Sequence, residues 1–132
     1  MRCPNCKSVD SFRPWEGTMK LRGVEFLARG EKCRECGEIV FDSSEVRRQE
    51  RVVAAGLVER GIRTGRDFQY VRKVAGLKAT ELAELLDVRP ETVSRWERDE
   101  VDIPRPIAFT LGELFERPRI LRDRLEAFAH RR

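Results

Sequence analysis

Long apolar runs are missing from this 132-residue chain: none exceeds four residues, far short of the roughly 20 that a membrane-spanning helix needs. The opening Met1-Arg-Cys-Pro-Asn-Cys6 has no apolar stretch behind its basic residue, which argues against a secretory signal. The cytoplasm is therefore the expected compartment, and cysteines there are expected as metal ligands before disulfides. Histidine occurs once, at His130 in a basic tail. No nucleophile–base set or open metal site accompanies it, so an enzyme is not expected. Repeats and low-complexity segments are also missing, and neither sign of charge dominates. The 27 Lys/Arg and 23 Asp/Glu leave a net +4, compatible with DNA but common in other soluble proteins.

The small surplus is unevenly placed. Residues 1–45 carry eight basic and eight acidic side chains, whereas residues 46–132 carry nineteen and fifteen. Four thiolates on one divalent ion would take the first segment to about −2. All basic excess then lies in the second segment, which suggests that phosphate binding belongs there.

Cysteine is confined to two pairs, Cys3-Pro-Asn-Cys6 and Cys33-Arg-Glu-Cys36. Each CxxC loop can put two sulfurs on one ion, and two loops complete a tetrahedral site closed to water and substrate. Zinc as a structural staple is the expected occupant; iron accepts the same ligands. A redox dithiol is the rival, but a thioredoxin-like motif requires a βαβ setting that neither pair has. About forty residues cannot bury enough surface to fold unaided, so the staple is needed. Between the pairs, Met19 and Leu21 alternate with Lys20 and Arg22, and Val24, Phe26 and Ala28 alternate with Glu25, Leu27 and Arg29. This predicts a β-hairpin turning near Arg22-Gly23, with a third short strand over residues 38–41. Phe12, Trp15, Phe26 and Phe41 are expected to form a small core; Leu27, on the polar face, would be free for a partner.

Asp42-Ser-Ser-Glu45 reads as a capping box opening a helix that runs to Arg60, with Val46, Val53 and Leu57 as its apolar stripe. Thr64 and Asp67 open another, to about Ala75, burying Phe68, Val71 and Val74. Two short helices follow, about 80–86 and 90–98, joined by a tight turn. Thr80 is the expected cap of the first and Pro90 suits the first turn of the second. Leu82, Leu86, Val88, Val93 and Trp96 would face inward. Helices from about Arg105 to Phe115 and from Pro118 complete the chain, with apolar positions at Ile107, Leu111, Ile120, Leu121, Leu125 and Phe128. The surplus of late apolar positions suggests a dimer seam.

The pair at 80–98 is a helix-turn-helix candidate whose second helix would enter the major groove of double-stranded DNA; an αα-hairpin in a small helical domain is the plain alternative. With Val93 and Trp96 anchoring it from behind, Arg89, Glu91, Thr92 and Arg95 would point outward. Arg95 suits guanine, Glu91 could accept from a cytosine amine, and Thr92 offers a hydroxyl or a methyl. Lys78 and Ala79 fall where backbone contacts occur, and Ser94 and Arg98 suit phosphates better than bases. The fold expected is α+β: residues 1–42 a four-cysteine zinc-bound β-hairpin domain, residues 43–63 a helical connector and linker, and residues 64–132 a five-helix helix-turn-helix domain.

Leu82-Ala83 and the run Ser94-Arg-Trp-Glu97 resemble the helix-turn-helix of the Cro/C1 repressor superfamily. An N-terminal CPxC, a second CxxCG pair 27 residues on, a helical connector and this domain together resemble the MqsA (YgiT-type) antitoxins over essentially the whole chain. That resemblance implies a zinc domain that neutralises a small mRNA-cleaving ribonuclease toxin of the MqsR type. It also implies a homodimeric C-terminal domain that represses its own operon at a palindromic promoter site. Cys3, Cys6, Cys33 and Cys36 match the family's zinc ligands, and Arg95 its base-reading arginine. Glu91 departs from the pattern: the family's best-known member reads a base there with asparagine, which donates and accepts as a carboxylate cannot. A stand-alone dimeric zinc-containing regulator without a toxin is the alternative.

Overall fold

The computed structural model describes residues 1–129; His130 lies outside the described residues. Three antiparallel strands in the order β1-β2-β3 precede six helices. The strands are β1 (Phe12–Leu21), β2 (Val24–Cys33) and β3 (Ile39–Val40). The helices are α1 (Ser43–Glu59), α2 (Gly65–Val74), α3 (Ala79–Leu86), α4 (Pro90–Glu97), α5 (Arg105–Glu116) and α6 (Pro118–Ala129). Five helices follow Gly61, and α1 is the sixth. The chain forms two compact units, Met1–Val53 and the remainder from Ala54, dividing within α1. No helix among the described residues is long and apolar enough to cross a membrane.

In the first unit β1 and β2 pair along their whole length, from Phe12 opposite Cys33 to Leu21 opposite Val24. Their two-residue turn is Arg22-Gly23, both with positive φ (52° and 80°), the mirror-image turn whose twist suits a hairpin. Val24, Phe26 and Ala28 are buried as their alternation requires, while Leu27 on the opposite face is exposed. Of the four expected core aromatics only Phe26 is buried; Phe12, Trp15 and Phe41 are half-buried. Trp15 and Phe41 meet edge to face with centroids 6.4 Å apart.

The capping box at α1 is only half formed. Asp42 Oδ1 accepts from the Glu45 N–H (2.8 Å), as expected, but Glu45 does not return the bond to Asp42. Its carboxylate instead accepts from the Arg29 N–H of β2 (3.0 Å), from Gln49 and from Arg48, and Arg48 also donates to the Leu27 carbonyl. These donors hold Glu45 far below the ordinary carboxylate range, the Arg48 guanidinium contributing most. The edge of β2 that β3 is too short to cover is thereby closed by side chains of α1, a common protection for strand edges. Val46, expected in the apolar stripe, is 41% exposed, whereas Val53 and Leu57 are buried.

The second unit has an apolar core of Phe68, Val71, Leu82, Val93, Leu111 and Leu114, all essentially inaccessible. Each such side chain contributes about 1.5–3 kcal/mol relative to exposure. Thr64 caps α2 by accepting from the Asp67 N–H (3.1 Å). At α3 the expectation fails: Thr80 lies inside the helix, the cap position is Lys78, and Glu81 accepts the Lys78 N–H (3.0 Å). Glutamate three residues past the cap reaches an N–H that the Thr80 hydroxyl, already within the first turn, does not. Leu86 and Val88 are half-buried. No residue of α6 is fully buried, and Ile120 and Phe128 are exposed together with Phe109 of α5.

Candidate metal centre and nucleic-acid interface

Two tight loops at the ends of the hairpin build the cysteine cluster. In the first, the Cys3 N–H donates to the Ser8 carbonyl (2.9 Å) and the Lys7 N–H to the Cys3 carbonyl (3.0 Å). The second repeats this, Cys33 N–H to Glu38 carbonyl (2.8 Å) and Gly37 N–H to Cys33 carbonyl (2.9 Å). Lys7 and Gly37 hold matching left-handed conformations, φ 68° and 81°. Glycine takes this at no steric cost, whereas Lys7 is held there by its loop. The hairpin register places Cys33 beside the start of β1, so that both loops face one point.

All four sulfurs lie within 4.8 Å of one another. Cys3 and Cys36 are 3.6 Å apart and Cys6 and Cys33 3.7 Å. A tetrahedron with metal–sulfur bonds of 2.3 Å has edges of about 3.8 Å, so the donor set fits one metal ion. Cys3 and Cys33 are buried, Cys6 and Cys36 exposed. Two hydroxyls not singled out from the sequence complete the surroundings: Ser11, buried, sits 3.1 Å from Cys33 Sγ, and Ser8 3.1 Å from Cys6 Sγ. The Ser11 hydroxyl holds the Cys33 thiol down at about 6, against an opposing push from burial. Ser8 lowers Cys6 in the same way. Hydroxyls aimed at sulfur favour the thiolate, the form that ligates metal. A serine immediately before a strand carries no distinctive signal, which is why sequence reading misses it.

In the second unit α3 and α4 are joined through Asp87, in the left-handed conformation (φ 55°), and Val88. Pro90 occupies the first turn of α4. Val93 and Trp96 are buried, with Trp96 edge to face on Phe68 of α2 at 6.0 Å. The opposite face presents Glu91, Arg95 and Arg98 to solvent, with Arg89 exposed at the cap and Thr92 and Ser94 half-buried beside them. Lys78 is exposed at the start of α3 and Ala79 half-buried. Arg98 is partly engaged by Glu100 (3.0 Å).

What holds α4 in place was not legible beforehand. Arg72 of α2 grips Glu97 at the end of α4 by two hydrogen bonds (2.6 and 2.9 Å) and donates a third to the Leu77 carbonyl (2.9 Å). Both side chains of the pair are more than nine-tenths buried. A planar guanidinium bonded along two edges fixes rotation as well as distance. Asp99, just past α4, accepts from the Gly65 N–H at the start of α2 (2.8 Å). The backbone approach is so close that a side chain at Gly65 would collide with the Trp96 and Glu97 carbonyls. Arg72 and Glu97 are 25 positions apart, and each alone reads as a solvated surface charge.

Comparison with known proteins agrees with this geometry over part of the chain. No curated protein matches the chain. Residues 68–118, from Phe68 in α2 to the first residue of α6, match the Helix-turn-helix family and form a Cro/C1-type domain, which supports a DNA-binding transcriptional regulator.

Proposed function

We propose that this protein is the antitoxin of a toxin–antitoxin pair. Its helical unit binds a palindromic site in its own promoter as a homodimer and represses transcription. Its four-cysteine unit holds one structural zinc and neutralises a small mRNA-cleaving ribonuclease; the protein works in the cytoplasm and is not itself an enzyme. The observation that carries the DNA part is the exposed face of α4, with Arg95 outward and the helix clamped from behind by Arg72 and Glu97. A base-reading arginine must be presented at a fixed angle, and that clamp supplies it. Supporting the homodimer are the exposed Phe109, Ile120 and Phe128 of α5 and α6, too many large apolar side chains to leave in water on one small unit. Exposed Leu27 is an apolar contact the first unit offers a toxin.

Co-purification from the native operon tests the toxin part: a stoichiometric small-protein partner is expected, and a chain recovered alone would overturn it. Promoter binding should weaken steeply as salt rises, because neutralised phosphates release counterions. Arg95→Ala should lower specific affinity roughly 5- to 150-fold while leaving the fold intact. Wild-type affinity in that variant would remove α4 from the groove. A stand-alone dimeric regulator is the second reading, favoured by the closure of the β2 edge by Glu45 and Arg48, which leaves less strand free for a partner.

A further inference from the structure

The exposed face of α4 contains a carboxylate where an interface for phosphate would ordinarily exclude one. Glu91 and Glu97 are the acidic residues of this helix, and Glu97 is consumed by Arg72. The Glu91 side chain is exposed and makes no hydrogen bond or ion pair among the described residues, nor does the side chain of Arg95 one turn further on. A Glu–Arg pair at this spacing commonly forms an ion pair on a helix surface; here both ends stay open. Glu91 lies in the first turn, where a negative charge favours the helix by a small amount, but that benefit needs no alignment with Arg95.

We infer that Glu91 is a specificity filter, reading a cytosine amine in the same half-site in which Arg95 reads a guanine, and penalising DNA that lacks that cytosine. This rests on the DNA-binding reading of α4. A carboxylate only accepts, and among base edges in the major groove the amines of cytosine and adenine donate. Adenine is read bidentately through N6 and N7, which needs a donor that Glu91 does not have; cytosine N4 alone satisfies it. Helix rise puts the two side chains about 6 Å apart along α4, so the cytosine and guanine lie in base pairs one or two steps apart. On any other sequence Glu91 enters a phosphate-lined groove desolvated and unpaired. That cost falls on non-cognate DNA and not on the operator, which raises the ratio between them.

Selection of duplexes from a randomised library by the full-length protein, followed by competition with random-sequence DNA, tests this. Wild type should enrich half-sites with a fixed guanine and a fixed cytosine one or two steps away. Glu91→Gln should lose the cytosine in favour of adenine, keep the guanine, and lower the preference for its selected site over random DNA by roughly fivefold or more. Arg95→Ala should lose the guanine and keep the cytosine. If the wild-type protein enriches no sequence, the DNA-regulator reading itself fails. If it enriches a motif but Glu91→Gln leaves every position unchanged, the filter is overturned and the regulator stands. Matching thermal melts of wild type and Glu91→Gln exclude loss of fold as the cause of a change.

Discussion

The two units solve the same stability problem by opposite means. The first unit buries few apolar side chains outside its cysteines, chiefly Val24, Phe26, Ala28 and Val53, and leaves most of its aromatics half in water. Its organisation comes from polar geometry: four sulfurs on one point, two serine hydroxyls behind them and Glu45 bridging helix and strand. The second unit has an apolar interior and a buried polar lock, Arg72–Glu97, that fixes the orientation of α4. With a metal ion on those sulfurs, the first unit would draw its stability from a ligand, whereas the second draws on its own side chains. Metal removal should then act on the first unit and not on the second.

The sharpest way to break this comparison is to remove the metal. Structural zinc in small domains carries about 10–16 kcal/mol of apparent binding free energy, more than forty residues can replace. A chelator, or Cys33→Ala, should unfold the first unit, Met1–Val53, while α2–α6 keep their own melting transition. Hydrogen exchange resolved by segment, together with metal content, checks this; simultaneous loss of protection in α2–α5 would show that the units are not independent. The converse perturbation is Glu97→Ala, which leaves the Arg72 guanidinium buried without its partner. The expected cost to the helical unit is about 3–5 kcal/mol by urea denaturation, with metal content unchanged. Replacing both partners by apolar residues, Arg72→Met with Glu97→Leu, should recover most of the stability. It should not recover operator affinity, because the angular constraint on α4 is gone.

What could be read from the chain followed from the range of the interactions. The hairpin turn at Arg22-Gly23, the cysteine tetrad and the helix-turn-helix are local patterns of period, spacing and turn chemistry, and each appears where its residues require. Glu91 and Arg95 were placed on the exposed face by the positions of Val93 and Trp96 alone. The Arg72–Glu97 clamp, the Asp99–Gly65 bond and the diversion of Glu45 to Arg29 depend on partners brought together only by the fold. The capping assignments erred for a related reason: at Thr80 and Glu45 several acceptors compete, and which donor wins depends on what stands opposite in space. Charge patterns likewise conceal burial, so the most important arginine of the helical unit looked like any other.

Ser11 gives the smallest expected effect and the finest test of how the first unit works. Its hydroxyl stabilises the Cys33 thiolate, so that the thiol titrates at about 6, below its ordinary value. For an acid with a depressed folded value, the stabilisation is fully present above the unfolded value and is lost as pH falls through the folded one. The window runs from the ordinary thiol range near 8.5 down to about 6. Ser11→Ala removes the donor, so the Cys33 value rises and protons compete with metal from a higher pH. The variant should bind one metal ion at pH 8 like wild type but release it at a higher pH on acidification. The thiolate-to-metal charge-transfer absorption of the cobalt-loaded protein, followed through an acid titration, reads this directly. A release midpoint unchanged by Ser11→Ala would mean that the metal loops alone set the thiolate's stability, leaving the serine as packing. A midpoint moved upward would show that even the unit held together by its ligand relies on one buried hydrogen bond to keep it.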